Sequence, residues 1–448
     1  MTIQFPTALQ LGEAIARGES DPVELTEQAL GQAEQQPTVF ITVLHDRARR
    51  DAEHAQWRRD HGCRLGPLDG VPLAWKDLFD VVGEVTTAGG RVFNQPASRD
   101  AEMLRHAGQA GLVCLGKTNL TELAFSGLGM NPHYGTPNAT PGNGPQRVPG
   151  GSSSGSAVAV ATGLVAAATG TDTAGSLRIP AAFNGLVSYR PSTGQHSVRG
   201  VMPLGRSLDT PGVIAQTLDD CLAIDDALRG EVVEPLSPLA EGELTVLLDE
   251  QALDDPAISE PVRAATLAYA DRLTAMGIRV SRRSVSAVER CHQLIAKYGW
   301  LGGYEALAEY RLLLEQVPAE RFDPRVRDRI LAFAQRSPAD VVMLYRERLS
   351  LQQLLARQLG SALLLTPTVA QTAPLLAPLL CDDEAYRTAN TACLKLSMVA
   401  SLLDSPAITL PAGCDSQGQF IGVQLMGLVG QDQQVKRAAL ACSGYVCA

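Results

Sequence analysis

Residues 150–178 read GGSSSGSAVAVATGLVAAATGTDTAGSLR, and two serine-bearing turns in this stretch, GGSSSGSA and TDTAGS, flank an apolar segment of small residues. Serine is a poor nucleophile unless a neighbouring group removes its proton, and the stretch contains no histidine. A nucleophilic serine here therefore needs another base. Lys76, at the end of the apolar run GVPLAWK, is the candidate.

Composition and charge limit what the chain can be. It has 448 residues, 45% of them hydrophobic, and a formal net charge of −10. The length allows one large domain or two ordinary ones, and the acidic balance argues against nucleic acid as a partner. The N-terminus lacks the basic and apolar regions of a signal peptide, and the apolar stretch 157–168 is too short to span a membrane. We expect a cytoplasmic protein with no nucleic-acid or membrane partner.

Nine cysteines are scattered along the chain without a CxxC pair. This spacing argues against a zinc knuckle or a thioredoxin-type redox site. We therefore expect reduced thiols, in keeping with a cytoplasmic protein.

Helical and strand patterns alternate along the chain. Three-to-four apolar spacing predicts helices before FITVLHD at 40–46, which itself predicts a strand. GVPLAWK and LVCLGK predict short buried strands, and SALLLTPTVA and QFIGVQLMG predict further strands near the C-terminus. Residues 282–360 are charged and mostly helical in pattern. The alternation predicts one α/β domain with a largely buried sheet.

Two other interpretations of the Gly/Ser stretch are disfavoured by its context. Gly150 and Gly155 have the spacing of a phosphate-binding loop, but the lysine that should follow is absent. The GSSSG at 151–155 formally matches a nucleophile elbow, which needs a strand directly before it. The preceding TPGNGPQRVPG cannot be a central strand because of its prolines.

The stretch GGSSSGSAVAVATG, with the following TGTDTAGSLRIPAAFNGLVSYRPSTG, closely resembles the signature of the amidase signature family of serine amidohydrolases. Similar segments continue from the first helices almost to the C-terminus; they are GVPLAWKDLFDV, LGKTNLTELAF, NPHYGTPNA, LDTPGVIAQTLDD, TPT and PAITLPAGCDSQGQFIGVQLMG. The resemblance implies a single α/β/α domain over 1–448, in which helices cover both faces of a central mixed twisted sheet of about eleven strands. It places a catalytic core near 65–215.

The resemblance also implies the roles of the reacting groups. Ser176 corresponds to the nucleophile, Ser152 to a bridging serine that follows a cis peptide bond, and Lys76 to the general base. A lysine at its usual pKa of about 10.4 is a cation and cannot accept a proton. Burial would lower that pKa, so that neutral Lys76 could deprotonate Ser152, which takes the proton of Ser176.

Further positions surround these groups in the family pattern. The oxyanion hole corresponds to the backbone N–H groups of Thr173, Ala174, Gly175 and Ser176. Asp172 and Arg178 correspond to the charged residues that brace this turn.

We also expect the loop at 125–145 and the helical segment near 282–360 to line the acyl pocket. Within or beside these regions, the candidate substrate contacts without a motif of their own are Phe125, Tyr134 and Tyr298.

The chain departs from the family pattern at two places. Ala174-Gly175 stands where Gly-Gly is common, and alanine tolerates a positive φ poorly. Ser153-Ser154 precede Gly155 where one serine and two glycines are common. Both changes affect the fine geometry of the turns, but neither removes a group that corresponds to a catalytic residue.

The resemblance implies an amidohydrolase that cleaves an amide or ureido C–N bond of a small molecule through an acyl-enzyme, with no metal or organic cofactor. Two alternatives stay open. One is the A-type subunit of a tRNA-dependent amidotransferase, and the other is a catalytically inactive scaffold. The oligomeric state is open too, with a homodimer as the working expectation.

Overall fold

The computed structural model describes residues 5–138, 144–240 and 242–443. Within them, eleven strands form one sheet. The strands are β1 (Phe40–Val43), β2 (Pro72–Lys76), β3 (Val113–Thr118), β4 (Ala167–Asp172), β5 (Val187–Arg190), β6 (Thr210–Ala215), β7 (Thr245–Asp249), β8 (Arg279–Arg283), β9 (Leu363–Pro367), β10 (Ala407–Cys414) and β11 (Phe420–Met426).

Helices fill most of the connections between these strands. They are α1 (Ala8–Ala16), α2 (Pro22–Glu34), α3 (His45–Asp60), α4 (Glu102–Gln109), α5 (Ser154–Ala161), α6 (Arg178–Phe183), α7 (Leu218–Arg229), α8 (Glu250–Leu253), α9 (Glu260–Ala275), α10 (Ser286–Tyr298), α11 (Leu301–Gln316), α12 (Pro324–Leu331), α13 (Pro338–Leu359), α14 (Leu376–Cys381), α15 (Asp383–Leu394), α16 (Ser397–Leu403) and α17 (Asp432–Cys442).

The sheet is mixed, in the spatial order β1-β3-β2-β4-β6-β5-β10-β11-β9-β7-β8. β2 is parallel to both β3 and β4, and β7 is parallel to both β8 and β9. The remaining neighbours are antiparallel. The single α/β domain with a mixed sheet is therefore confirmed.

Helices cover both faces of the sheet because successive side chains of a strand point to opposite sides. In β2, Leu73 and Trp75 join the apolar cluster under α1, α4, α7, α9 and α17, whereas Ala74 joins the cluster under α2, α3 and α5. All three side chains are fully buried. Lys76 follows Ala74 by two residues, so its side chain points to the same face of the sheet, which α5 covers.

The local predictions agree with these elements, with one correction. GVPLAWK contains β2, LVCLGK covers β3 except for its last residue, Thr118, and the helical pattern over 282–360 contains α10 to α13. The strand predicted over 40–46 stops at Val43, because α3 already begins at His45. The last two residues of the predicted strand, at 45 and 46, therefore belong to the helix that the following charged run forms.

The loop between β3 and α5 is largely buried at its start, over 125–131. Residues 139–143, part of the predicted pocket-lining loop, lie outside the described residues, as does Cys447. In the described ranges no helix is long and apolar enough to cross a membrane.

Candidate active site

Strand pairing brings the ends of β2 and β4 to one edge of the sheet. The two strands run parallel, with Leu73 opposite Ala167 and Ala74 opposite Ala168. Because parallel strands end on the same side, Lys76 at the end of β2 meets Thr171 near the end of β4. In open α/β sheets, this carboxyl edge is where ligands commonly bind.

Lys76 is fully buried and forms two side-chain hydrogen bonds. Its Nζ donates to Ser152 Oγ at 2.7 Å and to Thr171 Oγ1 at 2.9 Å. Ser152 lies in the turn before α5, and the Gly151–Ser152 peptide bond is cis, as the resemblance implies. The structure therefore joins the expected base and bridging serine directly.

Burial shifts the proton affinity of Lys76. Loss of solvation lowers the pKa of its ammonium group to about 7, and the negative charges of Asp209 and Asp172 oppose this shift. A substantial fraction of Lys76 is then neutral near neutral pH, and a neutral amine can accept a proton.

Ser176 lies beside Ser152 in the turn between β4 and α6. The Ser153 N–H donates to the Ser176 carbonyl oxygen at 3.3 Å, which ties the two serine-bearing turns together. The Ser176 hydroxyl has no hydrogen-bond partner within the described ranges, so the Ser152–Ser176 hydrogen bond expected for a relay is not formed. Catalytic hydrogen bonds are often loose until substrate binds.

The turn at 173–176 presents fewer free donors than predicted. The Gly175 N–H donates to Asp172 Oδ1 at 2.8 Å, so it is already occupied. The N–H groups of Thr173, Ala174 and Ser176 donate to no acceptor in the described part of the chain. Of the four backbone N–H groups expected to form the oxyanion hole, three are therefore free to donate to a substrate oxygen.

Gly175 explains how the turn accommodates Ala174. Gly175 takes the positive φ, +129°, whereas Ala174 does not. A Cβ on Gly175 would lie 2.1 Å from Ser397 Oγ, and that hydroxyl donates to the Ala174 carbonyl oxygen at 2.6 Å. The strained conformation and the close approach both fall on the glycine, so alanine is tolerated one residue earlier.

Asp172 and Arg178 form a fully buried bidentate ion pair next to this turn. Arg178 Nη2 donates to Asp172 Oδ1 at 2.9 Å, and its Nε donates to Oδ2 at 3.0 Å. Burial would raise the pKa of Asp172, but Arg178 overrides burial and lowers this pKa to about 2. The carboxylate is therefore ionised and holds the N–H groups of Gly175 and Leu177.

Two of the three proposed substrate contacts lie in the loop after β3. Phe125 is 8% exposed, and Arg329 Nη1 donates to its carbonyl oxygen at 3.0 Å. The Tyr134 hydroxyl donates to the Gly90 carbonyl oxygen at 3.1 Å. The Tyr134 hydroxyl is therefore engaged with backbone.

Tyr298, at the end of α10, packs against the apolar cluster under α10 and α13. Lys297 Nζ lies 4.9 Å from the centre of its ring, and the Tyr304 hydroxyl donates to its carbonyl oxygen at 2.6 Å. These contacts connect Tyr298 with neighbouring helices, and none of them reaches Ser152 or Ser176.

Sequence reasoning missed three polar residues of this region. Thr171 precedes Asp172 and binds Lys76, and its place on the same face of the sheet could have been inferred from strand alternation. Asp209 belongs to the LDTPGV segment, which resembles the family without indicating a role for its carboxylate. Arg329, on α12, carries no local signal, because its approach to Phe125 depends on tertiary packing.

A cavity of about 270 Å³ opens next to these groups, and its lining includes Leu78, Thr171, Met202, Leu204 and Asp209. It reaches the site at Thr171, the residue that shares the Lys76 ammonium group with Ser152. In the parts of the chain that the structure describes, no group of three or more His, Cys, Asp or Glu side chains is placed to hold a metal ion.

Known proteins resemble this chain over most of its length. The amidase family model matches residues 24–435. The 2-amino-5-chloromuconic acid deaminase of Comamonas testosteroni is 35% identical over 396 residues, covering 85% of this chain and 82% of the relative. The A subunit of the glutamyl-tRNA(Gln) amidotransferase of Synechococcus sp. (strain WH7803) is 32% identical over 466 residues, covering 95% and 94%. A crystal structure of an amidase superposes with a TM-score of 0.86 at 32% identity, covering 97% and 98%.

The chain therefore belongs to the amidase signature family. It is a hydrolase of carbon–nitrogen bonds, with the single α/β domain of its solved relatives.

Proposed function

We propose that the protein hydrolyses a small-molecule amide or ureido compound through an acyl-enzyme on Ser176. The observation that carries the proposal is the 2.7 Å hydrogen bond between Lys76 Nζ and Ser152 Oγ in a fully buried setting. A buried amine of lowered pKa next to a serine hydroxyl is how a serine can be activated without histidine.

The proposed reaction begins when neutral Lys76 takes the proton of Ser152 while Ser152 takes the proton of Ser176. Ser176 Oγ then attacks the carbonyl carbon, and the resulting oxyanion is stabilised by the free N–H groups of the turn, each worth roughly 10²–10³ in rate. The C–N bond breaks as the Ser152 hydroxyl protonates the leaving nitrogen and the Lys76 ammonium group returns its proton to Ser152. Water then attacks the acyl carbon while it gives a proton to Ser152 and Ser152 passes its own proton to Lys76. That proton returns from Lys76 through Ser152 to Ser176 Oγ as the carboxylic acid leaves, which frees Ser176.

We further propose that the acyl part of the substrate carries an anionic group. The Arg329 guanidinium lies 5.0 Å from the centre of the Phe125 ring and forms no ion pair with any described residue. Two residues after Phe125, the Gly127 carbonyl accepts from the Gly151 N–H at 2.8 Å, which links this loop to Ser152. The relative from Comamonas testosteroni is a 2-amino-5-chloromuconic acid deaminase, so the compound in its name is an acid. Arg329→Lys should retain more activity on such substrates than Arg329→Met.

Ammonia release by the purified protein tests the proposal. The panel contains aliphatic, aryl and ureido amides, each with and without a carboxylate. We expect turnover of at least one compound, with loss in Ser176→Ala and retention in Ser154→Ala. Ser154 is a matched control because its hydroxyl makes only a 3.4 Å bond to the Asn119 carbonyl. Equal activity of Ser176→Ala and wild type would overturn the proposal.

A second candidate function is that of the glutaminase-type component of a tRNA-dependent amidotransferase. It is favoured by the similarity to the A subunit from Synechococcus, which extends over 95% of this chain. We prefer the stand-alone hydrolase. Dependence of turnover on a second polypeptide would reverse that preference.

A further inference from the structure

Asp209 is a largely buried carboxylate next to the candidate site that the proposed reaction does not use. It directly precedes β6, whose first residue, Thr210, pairs with Asp172 at the end of β4. Sheet pairing therefore places Asp209 beside the turn at 173–176. Its side chain also lines the cavity that reaches Thr171.

Three hydrogen bonds fix both oxygens of this carboxylate. Thr173 Oγ1 donates to Oδ1, while the Leu204 N–H and Gly205 N–H donate to Oδ2 at 2.8 and 3.0 Å. All three donors are uncharged, and Asp209 forms no ion pair with a residue of the described ranges. Its negative charge is therefore not cancelled by a cation at contact distance.

The two oxygens connect different parts of the site. Thr173 begins the turn that carries the free N–H donors, so the bond to Oδ1 orients the first of those donors. A Cβ placed on Gly205 would lie 3.4 Å from Thr173 Cγ2 and 3.1 Å from Glu305 Oε2. The bonds to Oδ2 thus hold a loop that is packed between the turn and α11.

We propose that Asp209 is a positioning residue of the catalytic site, which fixes the oxyanion turn through Thr173 and presents its negative charge to Lys76. The proposal rests on the proposed function, because it assigns Asp209 a part in the same reaction.

Several charged or titratable groups act on this carboxylate or are acted on by it. They are Lys76 on β2, Glu305 and Tyr310 on α11, and Arg206 on the same loop; Asp172, at the end of β4, acts together with Asp209 on Lys76. Burial raises the pKa of Asp209 to about 6, and Glu305 adds to this shift. Asp209 is therefore mainly an anion at neutral pH. An anion near Lys76 stabilises the ammonium form, so removing the charge should lower the Lys76 pKa.

The test uses a fluorophosphonate probe that labels an activated serine, since this readout does not require the natural substrate. The rate of labelling at Ser176 is measured across the range from about pH 5 to about pH 9 in the full-length protein. The variants are Asp209→Asn, Thr173→Val, Thr173→Ser and the double variant Asp209→Asn/Thr173→Val. Glu53→Gln, an exposed position on α3, controls for the change in net charge.

For Asp209→Asn we expect maximal labelling to fall by about 10- to 100-fold and its acid limb to move to lower pH by roughly half a unit or more. Thr173→Val should lose rate to a similar extent without moving the limb, because the carboxylate charge remains. Thr173→Ser retains a hydroxyl and should therefore be labelled faster than Thr173→Val. The double variant should be no slower than Asp209→Asn, because both substitutions act on the same hydrogen bond between Thr173 Oγ1 and Asp209 Oδ1.

The outcomes separate the two proposals. Failure to label Ser176 in the wild-type protein would overturn the proposed function and this inference with it. Labelling of wild type together with an unmoved acid limb and an unchanged rate in Asp209→Asn would overturn this inference alone. If Asp209→Asn does not fold, the pair Thr173→Val and Thr173→Ser decides, because equal rates in those two variants would also overturn it.

Discussion

Among single residues, Lys76 depends most on its surroundings for its chemistry. At the end of a fully buried strand it loses hydration, which lowers its pKa to about 7, while its bonds to Ser152 and Thr171 satisfy the amine. An exposed lysine with the same neighbours in sequence would remain a cation and could not act as a base. In the proposed reaction, a buried lysine therefore takes the part that histidine takes in serine hydrolases that use one.

The pH dependence of kcat/KM should follow the titration of Lys76. Only the neutral amine can act as a base, so kcat/KM should rise with pH and reach half its maximum near pH 7. Lys76→Arg keeps a cation at all accessible pH and should lose about 10²–10⁴ in kcat. A pH–rate profile of wild type beside Lys76→Arg checks this. A wild-type profile that stays flat over about two pH units on each side of the expected midpoint would contradict it.

Gly175 and Ala174 are neighbouring positions in the turn at 173–176, which is expected to form the oxyanion hole, and substitutions at the two should have opposite effects. Gly175→Ala introduces a Cβ 2.1 Å from Ser397 Oγ at a φ of +129°, so the turn must move. We expect kcat to fall by roughly 10²–10³, with thermal unfolding as the control for folding. Ala174→Gly should stay within a few-fold of wild type. Full activity in Gly175→Ala would show that this turn does not act as inferred.

Sequence reasoning could select the residues that the structure brings together, but not every contact among them. Lys76, Ser152 and Ser176 lie in segments whose spacing is distinctive, so their joint occurrence is informative. The engagement of the Gly175 N–H by Asp172 and the bond from Thr173 to Asp209 depend on the conformation of a turn and on pairing between distant strands. Neither leaves a pattern in the local sequence.

At the scale of elements, the connection from β4 to α6 is held by the pair Asp172–Arg178. Arg178 Nη1 also donates to Gln424 Oε1 on β11 at 2.7 Å, and its Nη2 donates to the Ser397 carbonyl oxygen at 2.9 Å. The ion pair therefore joins the turn that carries Ser176 to a distant strand and to α16. All of these contacts are buried.

Removing one partner of this ion pair should destabilise the fold. Arg178→Met leaves the Asp172 carboxylate buried without its cation, which typically costs about 3–5 kcal/mol. The free energy of unfolding from urea titration measures this loss. Arg311→Met, which breaks an exposed pair with Glu315 on α11, should cost less than about 1 kcal/mol. Equal losses in the two variants would refute the bracing role.

Element types are predictable where the apolar pattern is clear, whereas the order of the strands is not. The buried strands β2 and β3 and the helices α10 to α13 follow from periodicity alone. The placement of β10 beside β5 pairs Ala407 with Arg190, far apart along the chain, and local pattern carries no information about such pairings. Only the family resemblance indicates the size of the sheet.

For the molecule as a whole, α11 and α12 cover the edge of the sheet where the site lies. The Ser207 hydroxyl donates to Glu305 Oε1 on α11 at 2.6 Å, and the Asp323 N–H before α12 donates to Glu122 Oε2 at 2.6 Å. These bonds attach the helical segment to the loops that surround the candidate site. The candidate site is thus built from elements of one chain.

The purified chain should therefore be active without a second polypeptide. We expect amide hydrolysis to co-elute with a homogeneous species in size-exclusion chromatography with light scattering, because each reacting group comes from the same chain. The same measurement tests the expectation of a homodimer. Activity that is found only after another protein is added would favour the amidotransferase alternative instead.

The central claim is that Ser176 carries the acyl group, and mass spectrometry of a trapped intermediate tests it most directly. The protein is treated with an aryl carbamate, whose carbamoyl-enzyme hydrolyses slowly, and is then digested and mapped. We expect one carbamoyl group, located on the peptide that contains Ser176 and absent from Ser176→Ala. A carbamoyl group on another residue, or undiminished amide turnover by Ser176→Ala, would contradict it.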